Sequence, residues 1–129
     1  MDNKAIKRDV DIILVEDDDV LAESIIEMLN DRKIDIFLDP TWLLKSLDRY
    51  SKQVKICLDY TYPTGSYTGI EVAEILYNHG FTNLYLHSGH QFEPGDIPEY
   101  LTVIVKGDID ALCNYLHDNK AIIDRYQAD

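Results

Sequence analysis

Short apolar runs punctuate the chain: Ile12-Ile13-Leu14-Val15, Ile34-Asp35-Ile36-Phe37-Leu38, Val54-Lys55-Ile56-Cys57-Leu58, Leu84-Tyr85-Leu86-His87 and Leu101-Thr102-Val103-Ile104-Val105. Runs of four to five near-continuous apolar residues suit strands buried on both faces, which is how a parallel sheet covered by helices reads. The second run alternates more than the others, as an edge strand does.

Between these runs, apolar residues recur at helical spacing. Leu21, Ile25, Met28 and Leu29 make one stripe after the first run. Asp39-Pro40 caps and opens a second helix, with Trp42, Leu43, Leu44 and Leu47 behind it. Thr68-Gly69-Ile70-Glu71 has the form of a capping box, so the third helix starts at Thr68 and stops near Gly80. A last helix begins at Asp108 and buries Ile109, Leu112, Leu116 and Ile123. The stretch from Gly89 to Tyr100 breaks the alternation, because Pro94, Gly95 and Pro98 oppose a helix and proline alone costs about 3 kcal/mol in a helix interior. A loop with at most a short turn is expected there. The alternation of strand and helix predicts an α/β fold: a doubly wound, five-stranded parallel sheet in flavodoxin-like order 2-1-3-4-5, with a shortened or absent fourth helix.

Composition narrows the class. At 129 residues the chain is read as a single domain, residues 1–9 being a polar lead-in. It holds 46% hydrophobic and 28% charged residues, ordinary for a globular protein. No apolar run approaches the roughly 20 residues of a membrane span, and Met1-Asp2-Asn3-Lys4 is no signal peptide, so a cytoplasmic protein without a membrane partner is expected. Cys57 and Cys113 lack metal-ligand spacing and are read as reduced core thiols. A net charge of −12 argues against direct nucleic-acid binding, which needs clustered Lys and Arg, so any output passes through a protein partner.

The chemistry gathers at the ends of the runs. The first ends in four consecutive carboxylates, Glu16-Asp17-Asp18-Asp19, which repel one another unless a cation or a basic side chain offsets them. The third ends in Asp59, the fourth in Ser88-Gly89 and the fifth in Lys106-Gly107. In a doubly wound sheet the strand C-termini share one crevice, so these groups converge. Plainer roles compete. The acids from Glu16 to Asp19 suit a helix N-terminus, Asp59 a turn before Pro63, Ser88 a turn beside Gly89, and Lys106 a solvated loop. His79, His87, His90 and His117 show no ligand spacing and are assigned surface or packing roles, His90 at the site's mouth being the exception.

In these positions and this order the chain resembles the receiver domain of bacterial two-component response regulators. Glu16 and Asp17 match the family's acidic pair, Asp59 its phosphoacceptor within Asp-x-x-x-Pro, Ser88 its hydroxyl position and Lys106 its lysine. The resemblance implies Mg²⁺ (or Mn²⁺) held by Asp17, Asp59 and the backbone carbonyl of Thr61, with Glu16 acting mainly through a water. It implies phosphorylation of Asp59 by a histidine kinase or phosphotransfer protein, contacts from Ser88 and Lys106 to the phosphoryl oxygens, and a tuning role for His90. The protein would be a signalling domain, not an enzyme, with an unidentified output partner.

Departures bear on switching. Val103 stands where many relatives carry a rotating aromatic, and Gly107 stands where a proline usually follows the lysine. The loop Thr64–Thr68 is about two residues longer than the family's usual length, and the Ser88–Lys106 interval about one helical turn shorter. These departures leave a phosphorylation-independent pseudo-receiver, a binding module on the same fold, as the alternative. A phosphatase of the Asp-x-Asp class is disfavoured, because Thr61 occupies the place of the second aspartate.

Overall fold

The computed structural model describes residues 7–65 and 67–117. Within them all five apolar runs form strands: β1 (Ile12–Val15), β2 (Ile34–Phe37), β3 (Lys55–Asp59), β4 (Asn83–Ser88) and β5 (Leu101–Val105). Every pairing is parallel and the order is β2-β1-β3-β4-β5, the flavodoxin-like arrangement that the alternation predicts. The helices are α1 (Asp19–Met28), α2 (Pro40–Leu44), α3 (Gly69–Asn78) and α4 (Ile109–His117), with a 3₁₀ turn at Leu47–Arg49.

Local sequence explains the helix ends. Asp18 caps α1 by accepting from the Val20 and Leu21 amides, and Asp39 caps α2 by accepting from Thr41 ahead of Pro40. Thr68 and Glu71 form the reciprocal capping box of α3. That helix ends in a Schellman motif: Gly80 takes φ +96°, and the Phe81 and Gly80 amides donate to the Leu76 and Tyr77 carbonyls.

Strand alternation divides the core into two layers. On one face Ile13, Val15, Ile56, Leu58, Leu84 and Leu86 pack with Leu43 of α2 and Val72, Ala73 and Leu76 of α3. On the other, Ile12, Leu14, Cys57 and Ile104 pack with α1 through Ala22 and Ile25, with Leu29 at its C-cap, and with α4 through Leu112, Cys113 and Leu116. Two stripe residues depart from the predicted faces. Trp42 is 68% exposed, because α2 runs only five residues and turns Leu43 inward instead, and Met28 is also exposed at the end of α1. Ile123, assigned to the last helix from its spacing, lies outside the described residues.

Residues 89–100 form turns and bends with no helix, as the prolines predict. Phe92, Ile97 and Tyr100 nevertheless lie against the core, and Tyr100 stacks on Tyr77 of α3 at 4.0 Å between ring centroids. Gly107 takes φ +103°, a conformation closed to proline, whose ring holds φ near about −65°.

Candidate functional site

The C-terminal tips of β1 and β3 bring three carboxylates together. One ligand atom from each of Glu16, Asp17 and Asp59 lies within 4.8 Å of the others. Glu16 is 2% exposed and Asp59 9%, whereas Asp17 faces solvent. The four-acid run divides its labour: Asp18 and Asp19 serve the α1 N-terminus, and Glu16 and Asp17 turn toward Asp59. The helix-terminus reading therefore holds for Asp18 and Asp19, while Glu16 and Asp17 lie with Asp59.

Charge in the cluster is partly balanced. Lys106 Nζ donates to Asp59 Oδ2 at 3.2 Å, while Asp59 Oδ1 accepts from the Tyr60 amide at 2.8 Å. Burial pushes the Glu16 carboxyl above the ordinary range, with repulsion from Asp59 adding to it against the opposing Asp18 amide, which donates to Glu16 Oε2 at 3.1 Å. Burial pulls the Lys106 ammonium down, but attraction to Asp59 and the hydrogen bond to it outweigh that, and its pKa ends raised.

Close packing sets this geometry. The Gly69 amide donates to the Tyr60 carbonyl at 2.7 Å, drawing the start of α3 against the end of β3. A Cβ at Gly69 would stand 2.1 Å from the Asp59 carbonyl oxygen, so only glycine fits there. On the neighbouring tips, the Lys106 amide donates to the Ser88 carbonyl at 2.9 Å. The buried Ser88 hydroxyl accepts from the His90 amide at 3.0 Å, and among the described residues its own proton meets no acceptor. Thr61 is exposed in the loop after β3.

Three groups carry site structure of which the residue pattern assigned only His90, at the mouth. Tyr60, His90 and Phe92 form an aromatic cluster beside the acids, with centroids 4.7 to 5.0 Å apart. The Tyr62 hydroxyl accepts from the Asp59 amide at 2.7 Å and donates to the Val15 carbonyl at 3.2 Å. His87 is 1% exposed and lies opposite Asp59 in the β3–β4 register, yet neither ring nitrogen has a hydrogen-bond partner among the described residues. Burial, and secondarily the Lys106 charge, lower its pKa. Period-2 alternation could have flagged His87, since it shares a face with Cys57 and Asp59; the Tyr62 contact gave no signal in sequence.

The donor set suits a hard divalent ion. Oxygen ligands from two or three carboxylates, with no imidazole or thiolate among them, match Mg²⁺ or Mn²⁺ and not the softer metals.

The fold has known counterparts. The receiver domain of the Francisella response regulator 1452 superposes with a TM-score of 0.67 at 16% identity, covering 87% of this chain and 99% of that one. A protein fused to a trimeric coiled-coil segment of yeast Spc42 matches with a TM-score of 0.68 at 17% identity, covering 95% of this chain and 83% of that one. No family model and no curated protein matches the sequence. At these identities the likeness is one of fold, and the chain has the fold of a response-regulator receiver domain.

Proposed function

We propose that this chain is a phosphorylatable receiver: it takes a phosphoryl group onto Asp59 in a Mg²⁺- or Mn²⁺-dependent step and signals by changing its affinity for a protein partner. The observation that carries the reading is the convergence of Glu16, Asp17 and Asp59 with Lys106 bonded to Asp59. Asp17, Asp59 and the Thr61 carbonyl would hold the ion, with Glu16 beside it. When bound, the ion neutralises charge on the transferring oxygens.

The chain's own residues supply the rest. A carboxylate oxygen of Asp59 attacks phosphorus in line, the new O–P bond forming as the bond to the donor's nitrogen or oxygen breaks and the donor leaves with that electron pair. Lys106 then exchanges its carboxylate contact for a phosphoryl oxygen, and Ser88, whose proton meets no acceptor among the described residues, donates to another. Both contacts favour the phosphorylated arrangement, which is what a two-state switch requires. His90, clustered with Tyr60 and Phe92 at the mouth, controls approach of water to the phosphoryl group. The donor would be a histidine kinase or a phosphotransfer protein, and the role one of signalling without turnover of a substrate.

Incubating the protein with acetyl phosphate and Mg²⁺ and recording intact mass tests the reading. A gain of one phosphoryl group that requires the metal is expected. No gain in a protein that binds Mn²⁺ would favour the phosphorylation-independent binding module, toward which Val103 and Gly107 point.

A further inference from the structure

We infer that Tyr62 is a positioning residue whose hydroxyl clamps the last rung between β1 and β3, holding the tip that carries Glu16 and Asp17 at a fixed distance from Asp59. The inference rests on the acidic cluster acting as the metal site proposed above. The ladder itself locates the clamp. Its first rung is the Lys55 amide donating to the Asp11 carbonyl at 3.1 Å, and the register runs from Ile12 opposite Lys55 to Val15 opposite Leu58. Parallel ladders repeat every two residues, so the final rung joins the Asp59 amide and the Val15 carbonyl. The Tyr62 hydroxyl sits on that rung, bonded to both groups, at 2.7 and 3.2 Å.

The consequences follow from where the chain goes next. Beyond Val15 and Asp59 β1 and β3 no longer pair, and the residues immediately there are the ones whose oxygens must share an ion. Metal ligands need placement to within about 0.5 Å, a tolerance that two fraying strand ends do not meet unaided. Tyr62 lies three residues after Asp59, so its reach back to the Asp59 amide also closes the loop that contains Thr61. The ring is 4% exposed in the core layer under α2 and α3. Tyr62→Phe therefore removes the clamp and leaves the packing.

The test compares the full chain with Tyr62→Phe and with Tyr50→Phe, a control that loses a hydroxyl bonded to Asp35 at 2.6 Å. Mn²⁺ affinity, read by the metal's paramagnetic signal, is expected to fall about tenfold in Tyr62→Phe and to hold in Tyr50→Phe. The Asp59 amide, followed by hydrogen exchange without metal, is expected to exchange about tenfold faster in Tyr62→Phe while the Cys57 amide is unchanged. Equal Mn²⁺ affinity in wild type and Tyr62→Phe would overturn the clamp and leave the metal site standing. If the wild type binds no Mn²⁺ the site reading fails, and the Asp59 amide alone then decides: faster exchange upholds the clamp, and unchanged exchange overturns it.

Discussion

Lys106 Nζ stands 3.2 Å from Asp59 Oδ2, so the group that ends β3 is paired with a cation across the β4 strand that separates them. That ammonium is the chain's own counter-charge for three converging acids. Lys106→Ala is expected to keep Mn²⁺ binding, because the carboxylates remain and a competing cation is gone. It is expected to lose the response to phosphorylation, because its partner then is a phosphoryl oxygen. Asp59→Asn should gain no phosphoryl mass from acetyl phosphate and Mg²⁺. Undiminished labelling of Asp59→Asn would move the phosphosite to another residue.

Gly69→Ala should be among the most damaging single-methyl changes in the protein. Its Cβ would meet the Asp59 carbonyl oxygen at 2.1 Å and Leu86 Cδ1 at 2.6 Å, and the first of these is backbone that cannot swing aside. Overpacking of this kind costs about 3 kcal/mol. A urea midpoint that yields a loss under about 1 kcal/mol would mean that α3 slides along β3 without strain.

His87 makes stability depend on pH in a defined direction. Its imidazole is buried without a partner among the described residues, and its pKa lies below the ordinary 6.5. Below about pH 6.5 the unfolded chain binds a proton that the folded chain resists, so this group's contribution to stability falls as pH drops through 6.5 toward the folded value, and levels off beneath it. Replacement by leucine removes both that slope and the desolvation cost of the ring. His87→Leu is expected to gain about 1 kcal/mol at about pH 8 and more at about pH 5.5 in denaturant titrations. A variant less stable than wild type at both pH values would show that the imidazole is hydrogen-bonded in solution.

The strands and the acids were legible because each depends on local pattern. Near-continuous apolar runs such as Ile12–Val15 and residues 56–58 suit strands buried on both faces, and a polar residue after each run falls at the C-terminal edge of the sheet. Caps at Asp18, Asp39 and Thr68 were equally local. Trp42 misled because helical spacing names a stripe but not which side of a single-turn helix meets the sheet. The Tyr62 clamp and the pairing of His87 with Asp59 depend on register between strands, which sets Val15 against Leu58 and Asp59 against His87 across dozens of intervening residues. No window along the chain contains that information.

The segment 89–100 is where phosphorylation should be read out. It connects β4 to β5 through turns and not a helix, and Val103 has no ring with which to report the state of Ser88. Its bonds are few and local: the His90 amide to the Ser88 hydroxyl, the Glu93 amide to Asp96 Oδ2, the Asp96 amide to the Glu93 carbonyl and the Leu101 amide to the Pro98 carbonyl. The first of these ties the segment to the very hydroxyl that a phosphoryl oxygen would recruit, so moving Ser88 moves the backbone at His90, and with it the Tyr60–His90–Phe92 cluster. Bordering that cluster is an open groove of about 640 Å³, lined by the apolar Phe92, Pro94, Ile97, Val103 and Val105 with His90, Gln91 and Glu93 among them. Amides of residues 89–100 are expected to exchange quickly in the unmodified protein and to slow when beryllofluoride and Mg²⁺ mimic the phosphoryl group, with His90 and Phe92 affected first. Exchange already slow without the mimic, or unmoved by it, would mean that Ser88 does not transmit to this segment, and output would then have to leave through another surface.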